Sequence, residues 1–188
     1  MCRLLTKIRN FFFCKKYPFY KLFNVWTGKF SGYDCTWYDD IPEGWRKAFG
    51  KQLTKDLYTC LKKYNHLHDF HFVDIKEKWG SLRLAHSLLV NDRKCEEELD
   101  YITAKYEFMS YGYCIHCGKP ARHVTHGWVS FICDDCAHSE HNHLDSEPLT
   151  EGDIPYCKVY DSDKECFVEI DLKEKYGIDF KELWGLNK

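Results

Sequence analysis

Residues 114–136, CIHCGKPARHVTHGWVSFICDDC, carry two Cys-x-x-Cys pairs separated by fifteen residues. Two intervening residues let Cys114 and Cys117 reach one ion, and Gly118 frees the backbone to turn N–H groups toward the sulfurs. Cys133 and Cys136 repeat the pair. Four thiolates complete the tetrahedral shell of a structural zinc site, so the spacing predicts Zn²⁺ on Cys114, Cys117, Cys133 and Cys136. An iron–sulfur centre would use the same ligands, but two regular pairs read first as zinc. A redox Cys-x-x-Cys comes singly in a βαβ setting, which the flanking sequence lacks. A filled shell has no open position for activated water, so the ion staples rather than catalyses. Between the pairs, Val124 to Trp128 and Val129 to Phe131 read as a strand pair bent at Gly127. That is a zinc ribbon or knuckle, replacing a core that so few residues could not build.

Working outward, Asp39-Asp40-Ile41-Pro42-Glu43 reads as a helix start with an acidic cap. Trp45, Phe49, Leu53, Leu57, Leu61 and Tyr64 then keep one apolar face. Phe70, Phe72, Val73 and Ile75 have strand chemistry. Lys76-Glu77-Lys78-Trp79-Gly80 reads as a turn, with Leu82 and Leu84 alternating beyond it, which predicts an antiparallel hairpin. Asn91 or Asp92 caps a second helix carrying Cys95, Leu99, Ile102, Tyr106 and Met109, and Gly112 ends it. The fold class is therefore α+β: two helices with a small antiparallel hairpin sheet, followed by a four-cysteine zinc ribbon. The chain divides into an arm and aromatic loop (1–38), the helix–hairpin–helix core (39–111), the ribbon (112–137) and an acidic tail (138–188). Within the tail, residues 138–155 read as a polar linker, and Tyr156–Tyr160 and Cys166–Ile170 as a second hairpin.

The 188 residues are 44% hydrophobic and 30% charged, which excludes a disordered chain. Charge is polarised behind a net of −2. Residues 1–33 hold Arg3, Lys7, Arg9, Lys15, Lys16, Lys21 and Lys29 without an acid, +7, whereas residues 134–188 set fifteen acids against six lysines, −9. Eleven cysteines is an odd number, and Lys7, Arg9 and Asn10 interrupt the apolar start, so neither a secretory signal nor a membrane span is expected. Reduced thiols in a cytoplasmic setting fit this usage best.

Leu4, Ile8, Phe11 and Phe12 fall at helical spacing among basic residues, and Pro18 would end that helix. The segment either docks by its Phe face with lysines solvated, or touches anionic lipid or nucleic acid through residues such as Lys15 and Lys16. Lys76, Lys78, Trp79 and Arg83 form a basic, aromatic hairpin turn suited to phosphate; exposed lysines beside a buried Trp are the ordinary alternative. His138, His141 and His143 resemble a nuclease metal motif, but no acid–histidine dipeptide lies between the cysteine pairs. A solvated, histidine-rich linker explains them more simply. No nucleophile elbow, P-loop, dinucleotide-binding glycine pattern or HExxH occurs.

Four strings keep a familiar order: residues 44–50 (GWRKAFG), 75–83 (IKEKWGSLR), 114–121 (CIHCGKPA) and Gly127-Trp128 through Cys133-Asp134-Asp135-Cys136-Ala137. Over residues 17–137 the chain resembles a family of small uncharacterised proteins of tailed bacteriophages, prophages and bacteria, which pair a KEKFG-x-LRFY-like hairpin with a CxxCG…CxxC module. The resemblance implies a phage or bacterial origin and a cytoplasmic setting, and it brings no activity. Leu84-Ala85-His86 departs from the aromatic end of that hairpin, and the acidic tail lies outside it. The favoured function is a zinc-binding, non-catalytic accessory factor that engages a protein partner. A nucleic-acid-binding ribbon and a metal-dependent nuclease are the alternatives.

Overall fold

The computed structural model describes residues 3–24, 26–139, 145–161 and 164–186. It has a mixed α/β architecture with small antiparallel sheets.

Helix α1 (Arg3–Lys16) stops before Pro18, whose ring fixes φ and opens a single 3-10 turn, Pro18–Tyr20. That turn drives Phe19 and Tyr20 into complete burial, and Tyr20 stacks on Phe72 at 5.4 Å. Two short strands follow, β1 (Phe23–Asn24) and β2 (Lys29–Phe30), paired antiparallel. Sequence alone reads this stretch as loop, because two-residue strands carry no periodicity. The expected acidic cap at Asp39-Asp40 also changes place. Asp39 belongs to a separate turn, α2 (Trp37–Asp40), where it closes a capping box with Thr36, and Pro42 restarts the chain as α3 (Glu43–Trp45).

Helix α3 runs through a wide π turn at Arg46–Gly50 into α4 (Lys51–Lys63). Gly50 is what permits the close approach there: a Cβ would meet the Tyr38 hydroxyl at 2.7 Å. Strands β3 (Phe70–Lys78) and β4 (Ser81–Leu88) form the predicted hairpin, with a bulge between Phe72 and Asp74. Helix α5 (Arg93–Tyr111) begins at Asp92, whose side chain accepts from the Cys95 N–H. Its side chains close the open edge of β4: Leu82 N–H donates to Ser110 Oγ at 2.9 Å and Leu84 N–H to Glu107 Oε1 at 2.7 Å. Trp45, Phe49, Leu53, Leu57 and Leu61 meet Phe70, Phe72, Ile75, Leu82 and Leu84 from the hairpin and Leu99 and Tyr106 from α5 in one core.

Beyond this core the chain forms β5 (His123–Thr125), β6 (Phe131–Ile132) and the short helix α6 (Asp134–Ala137). The stretch expected as a polar linker supplies β7 (Ser146–Pro148), which pairs with the other side of β5 to give the strand order β6-β5-β7. The tail continues as the hairpin of β8 (Cys157–Asp161) and β9 (Cys166–Ile170), then α7 (Leu172–Tyr176) and α8 (Phe180–Leu183). Leu149, Leu172, Tyr176, Ile178, Phe180 and Trp184 bury themselves with Ala121 and Phe131 against Phe108, Met109 and Tyr111 of α5. The acidic segment thus docks through an apolar underside.

Candidate metal centre

The geometry around the four cysteines is built from backbone outward. Cys114 N–H donates to Lys119 O at 2.8 Å and Gly118 N–H returns to Cys114 O at 2.9 Å, which folds the first pair into a tight turn. Gly118 sits at φ +82°, a left-handed conformation that a side chain would strain. The second pair straddles the start of α6, where Ala137 N–H donates to Cys133 O at 2.9 Å. Strands β5 and β6 close the distance between the two turns, and Ile115 N–H donates to Phe131 O at 3.1 Å.

The result is a cluster in which the sulfurs of Cys114, Cys117, Cys133 and Cys136 all lie within 4.8 Å of one another. Zn–S bonds of about 2.3 Å place tetrahedral sulfurs about 3.8 Å apart, so the donor set has the right size as it stands. Cys114 and Cys133 are buried, while Cys117 and Cys136 are partly exposed. Cys117 and Cys133, at 3.4 Å, are free thiols. Burial raises the Cys117 thiol, but the Lys119 N–H and the surrounding sulfurs outweigh it and hold Cys117 below the ordinary cysteine range. Burial pushes Cys133 and Cys136 above that range, and for Cys136 the neighbouring sulfurs add to it. The adjacent cation, Lys119, is already paired with Asp135. Four thiolates here therefore need a cation from outside the chain, and the residues fit a metal ion.

The sequence readings distribute around this cluster unevenly. His138 lies beside it but gives Nδ1 to Asp134 O at 2.8 Å, and its ring sits edge-on to His123; His141 and His143 lie outside the described residues. Among the described residues, the metal-sized cluster consists of the four cysteines without a histidine. In the hairpin turn, Lys76 and Arg83 are cross-strand neighbours, and each already faces a carboxylate, Asp74 and Glu107. Trp79 is 71% exposed at φ +57°, so the reading of lysines beside a buried Trp does not hold. Lys15 and Lys16 are exposed at the end of α1.

Sequence reasoning passed over the residue on which the first cysteine turn rests. Gly44 N–H donates to Ile115 O at 2.9 Å, and a Cβ at Gly44 would collide with the carbonyls of Cys114 and Ile115. Gly118 in turn lies against Gly44 O. Trp45 Nε1 donates to Tyr113 O at 3.1 Å and completes the seam. The sequence signals of Gly44 were a glycine inside a helix start, which ordinary capping explains equally well, and its place at the head of the 44–50 string.

Comparison with protein-family models, curated proteins and solved structures returns no match to this chain. Among the described residues no helix is long and apolar enough to cross a membrane.

Proposed function

We propose that the protein is a non-catalytic binding factor stapled by a structural Zn²⁺ on Cys114, Cys117, Cys133 and Cys136, with residues 112–137 as a zinc ribbon. The observation that carries the reading is the closure of four thiols around one ion-sized space. Four protein sulfurs leave the ion no exchangeable water, so its contribution is to folding. The resemblance of the motifs to the phage and bacterial family supports a cytoplasmic accessory role.

A protein partner is favoured by the surface around the staple. Gly80 of the β3–β4 turn lies against Val129 and Phe131, which brings the turn carrying Trp79 beside the turn carrying Trp128. Both tryptophans are exposed. Exposed indoles on neighbouring turns are the anchor chemistry of protein interfaces, whereas two of the three cations of the same hairpin, Lys76 and Arg83, already face carboxylates.

Elemental analysis of purified protein tests the staple: equimolar zinc is expected, and Cys117→Ser should lose it together with the order of residues 112–137. A folded protein free of metal overturns the reading. Capture of a specific host protein by the native chain, lost with Trp79→Ala plus Trp128→Ala, tests the binding role.

A further inference from the structure

Helix α1 is docked the wrong way round for a core helix. Asn10, Phe13 and Cys14 face the body: Asn10 Nδ2 donates to Asp34 O at 2.7 Å and to Asp39 Oδ2 at 3.1 Å, and Phe13 packs among Tyr17, Tyr20 and Tyr38. The ion pairs Lys7–Asp34 (2.9 Å) and Arg9–Asp39 (2.7 Å) hold the two borders of that contact. At about 100° per residue, Leu5, Ile8 and Phe12 share about 60° of arc on the opposite side, with Phe11 and Lys15 at its edge. All of them are exposed, Phe11 at 66% and Phe12 at 63%. The expected docking by the Phe face is thus reversed. A groove beside the helix joins Ile8, Phe11 and Phe12 to Phe30 and Tyr33, with Lys21 over the Phe30 ring at 5.4 Å.

We propose that this face of α1, with Phe30 and Tyr33, is a docking surface for an anionic phospholipid membrane, which the protein binds peripherally and reversibly. Three features choose the occupant. Residues 1–33 carry +7 without an acid; Lys7 and Arg9 are paired with Asp34 and Asp39, and Lys15, Lys16, Lys21 and Lys29 are left to complement phosphatidylserine-type headgroups. Leu5 and Ile8 offer nothing to a nucleic acid, which needs stacking or hydrogen-bonding side chains, but they suit the acyl boundary. An isologous dimer through this face would set its lysines against their own image, which like-charge repulsion disfavours. Apolar insertion and basic attraction together supply the two signals that peripheral binding needs. Exposed Trp26 and Tyr33 have the amphipathic aromatic chemistry of the headgroup layer, and exposed Phe30 adds apolar area beside them.

Vesicle flotation with the full zinc-loaded chain tests the proposal. Binding is expected to vesicles of phosphatidylcholine with phosphatidylserine, little to phosphatidylcholine alone, and less as salt rises. Phe11→Ser with Phe12→Ser should weaken partitioning at least tenfold or so. Lys15→Gln with Lys16→Gln should weaken it by roughly thirtyfold at low salt. These side chains are exposed, so circular dichroism and thermal unfolding should match the parent and confirm that folding is intact. Absence of vesicle binding by the parent chain overturns the proposal, as does binding that ignores the Phe substitutions. Preferential binding of a duplex or single-stranded oligonucleotide, or a dimer in sedimentation that the Phe substitutions abolish without any vesicle binding, overturns it in favour of those occupants.

Discussion

At the residue scale the protein depends on places where two backbones touch. Gly44 and Gly118 meet across the seam between α3 and the cysteine turn, and neither has room for a methyl group. Gly44→Ala pushes the carbonyls of Cys114 and Ile115 away from α3, which overpacks a contact that cannot relax along a flexible side chain. The expected loss is about 1–3 kcal/mol of stability, read by denaturant unfolding of the zinc-loaded protein. Gly118→Ala adds left-handed strain of about 1–2 kcal/mol to the same crowding, and it should slow zinc uptake as well. Trp79 is the converse case. It holds φ +57° with most of its ring in water, so its conformation is costly and its burial returns little. Trp79→Asn, which tolerates this backbone region, should stabilise the fold by about 1 kcal/mol while weakening partner capture. Equal loss of stability and capture would show the indole to be structural.

At the element scale, α4, the hairpin and α5 meet at His66. Its Nδ1 lies 3.0 Å from Asp69 and its Nε2 3.2 Å from Asp92, the cap of α5. Hydrogen bonding to Asp69, reinforced by Asp92, raises the His66 imidazole above its ordinary range. A raised folded pKa contributes stability that is fully present below the unfolded value and is lost as pH rises through the folded one. Asp92 runs the other way: the Cys95 N–H, then His66, lower its carboxyl, so its contribution is lost as pH falls through that depressed value. His66→Gln should therefore destabilise the chain below the histidine range, and the difference from the parent should fade above it. A difference independent of pH would place the effect in packing instead. Much at this scale is legible in the sequence. The period of α4 from Leu53 to Leu61, the alternation about Gly80 and the Asp92 cap each act through neighbours close in the chain. What escapes are elements whose signals are shorter than a period, such as β1, β2 and β7, and the face by which α1 docks. A polar Asn10 turns inward there because Asp34 and Asp39 receive its amide, and no local pattern encodes those partners.

At the scale of the whole molecule, the cysteine cluster and the acidic tail form one structure. Phe131 sits between them, stacked on Trp184 at 5.9 Å and edge-on to Tyr111 at 5.2 Å, and Arg122 Nη1 donates to Leu183 O at 2.6 Å. Four cysteine positions announce the cluster, because two short spacings and one return suffice to define it. The tail's docking is invisible in its composition, since Leu172, Tyr176, Phe180 and Trp184 are few among many acids and their partners lie on α5. Chelation of the metal should accordingly raise amide hydrogen exchange across residues 149–186 as well as 112–137, with α4 and β3–β4 less affected. Exchange confined to 112–137 would show that the tail holds without the staple. Phe180→Ala should cost about 3–5 kcal/mol in unfolding measurements, the value for a large buried ring.

The third strand of the β6-β5-β7 sheet has a further consequence, because of where it stops. Strand β7 lays Ser146–Pro148 along β5 and so covers backbone groups that would otherwise invite a foreign strand. Its last residue is a proline, which has no N–H to offer the next chain. The sheet therefore finishes itself against aggregation on that side. The acidic segment acts there as a cover for the sheet that joins the two cysteine turns.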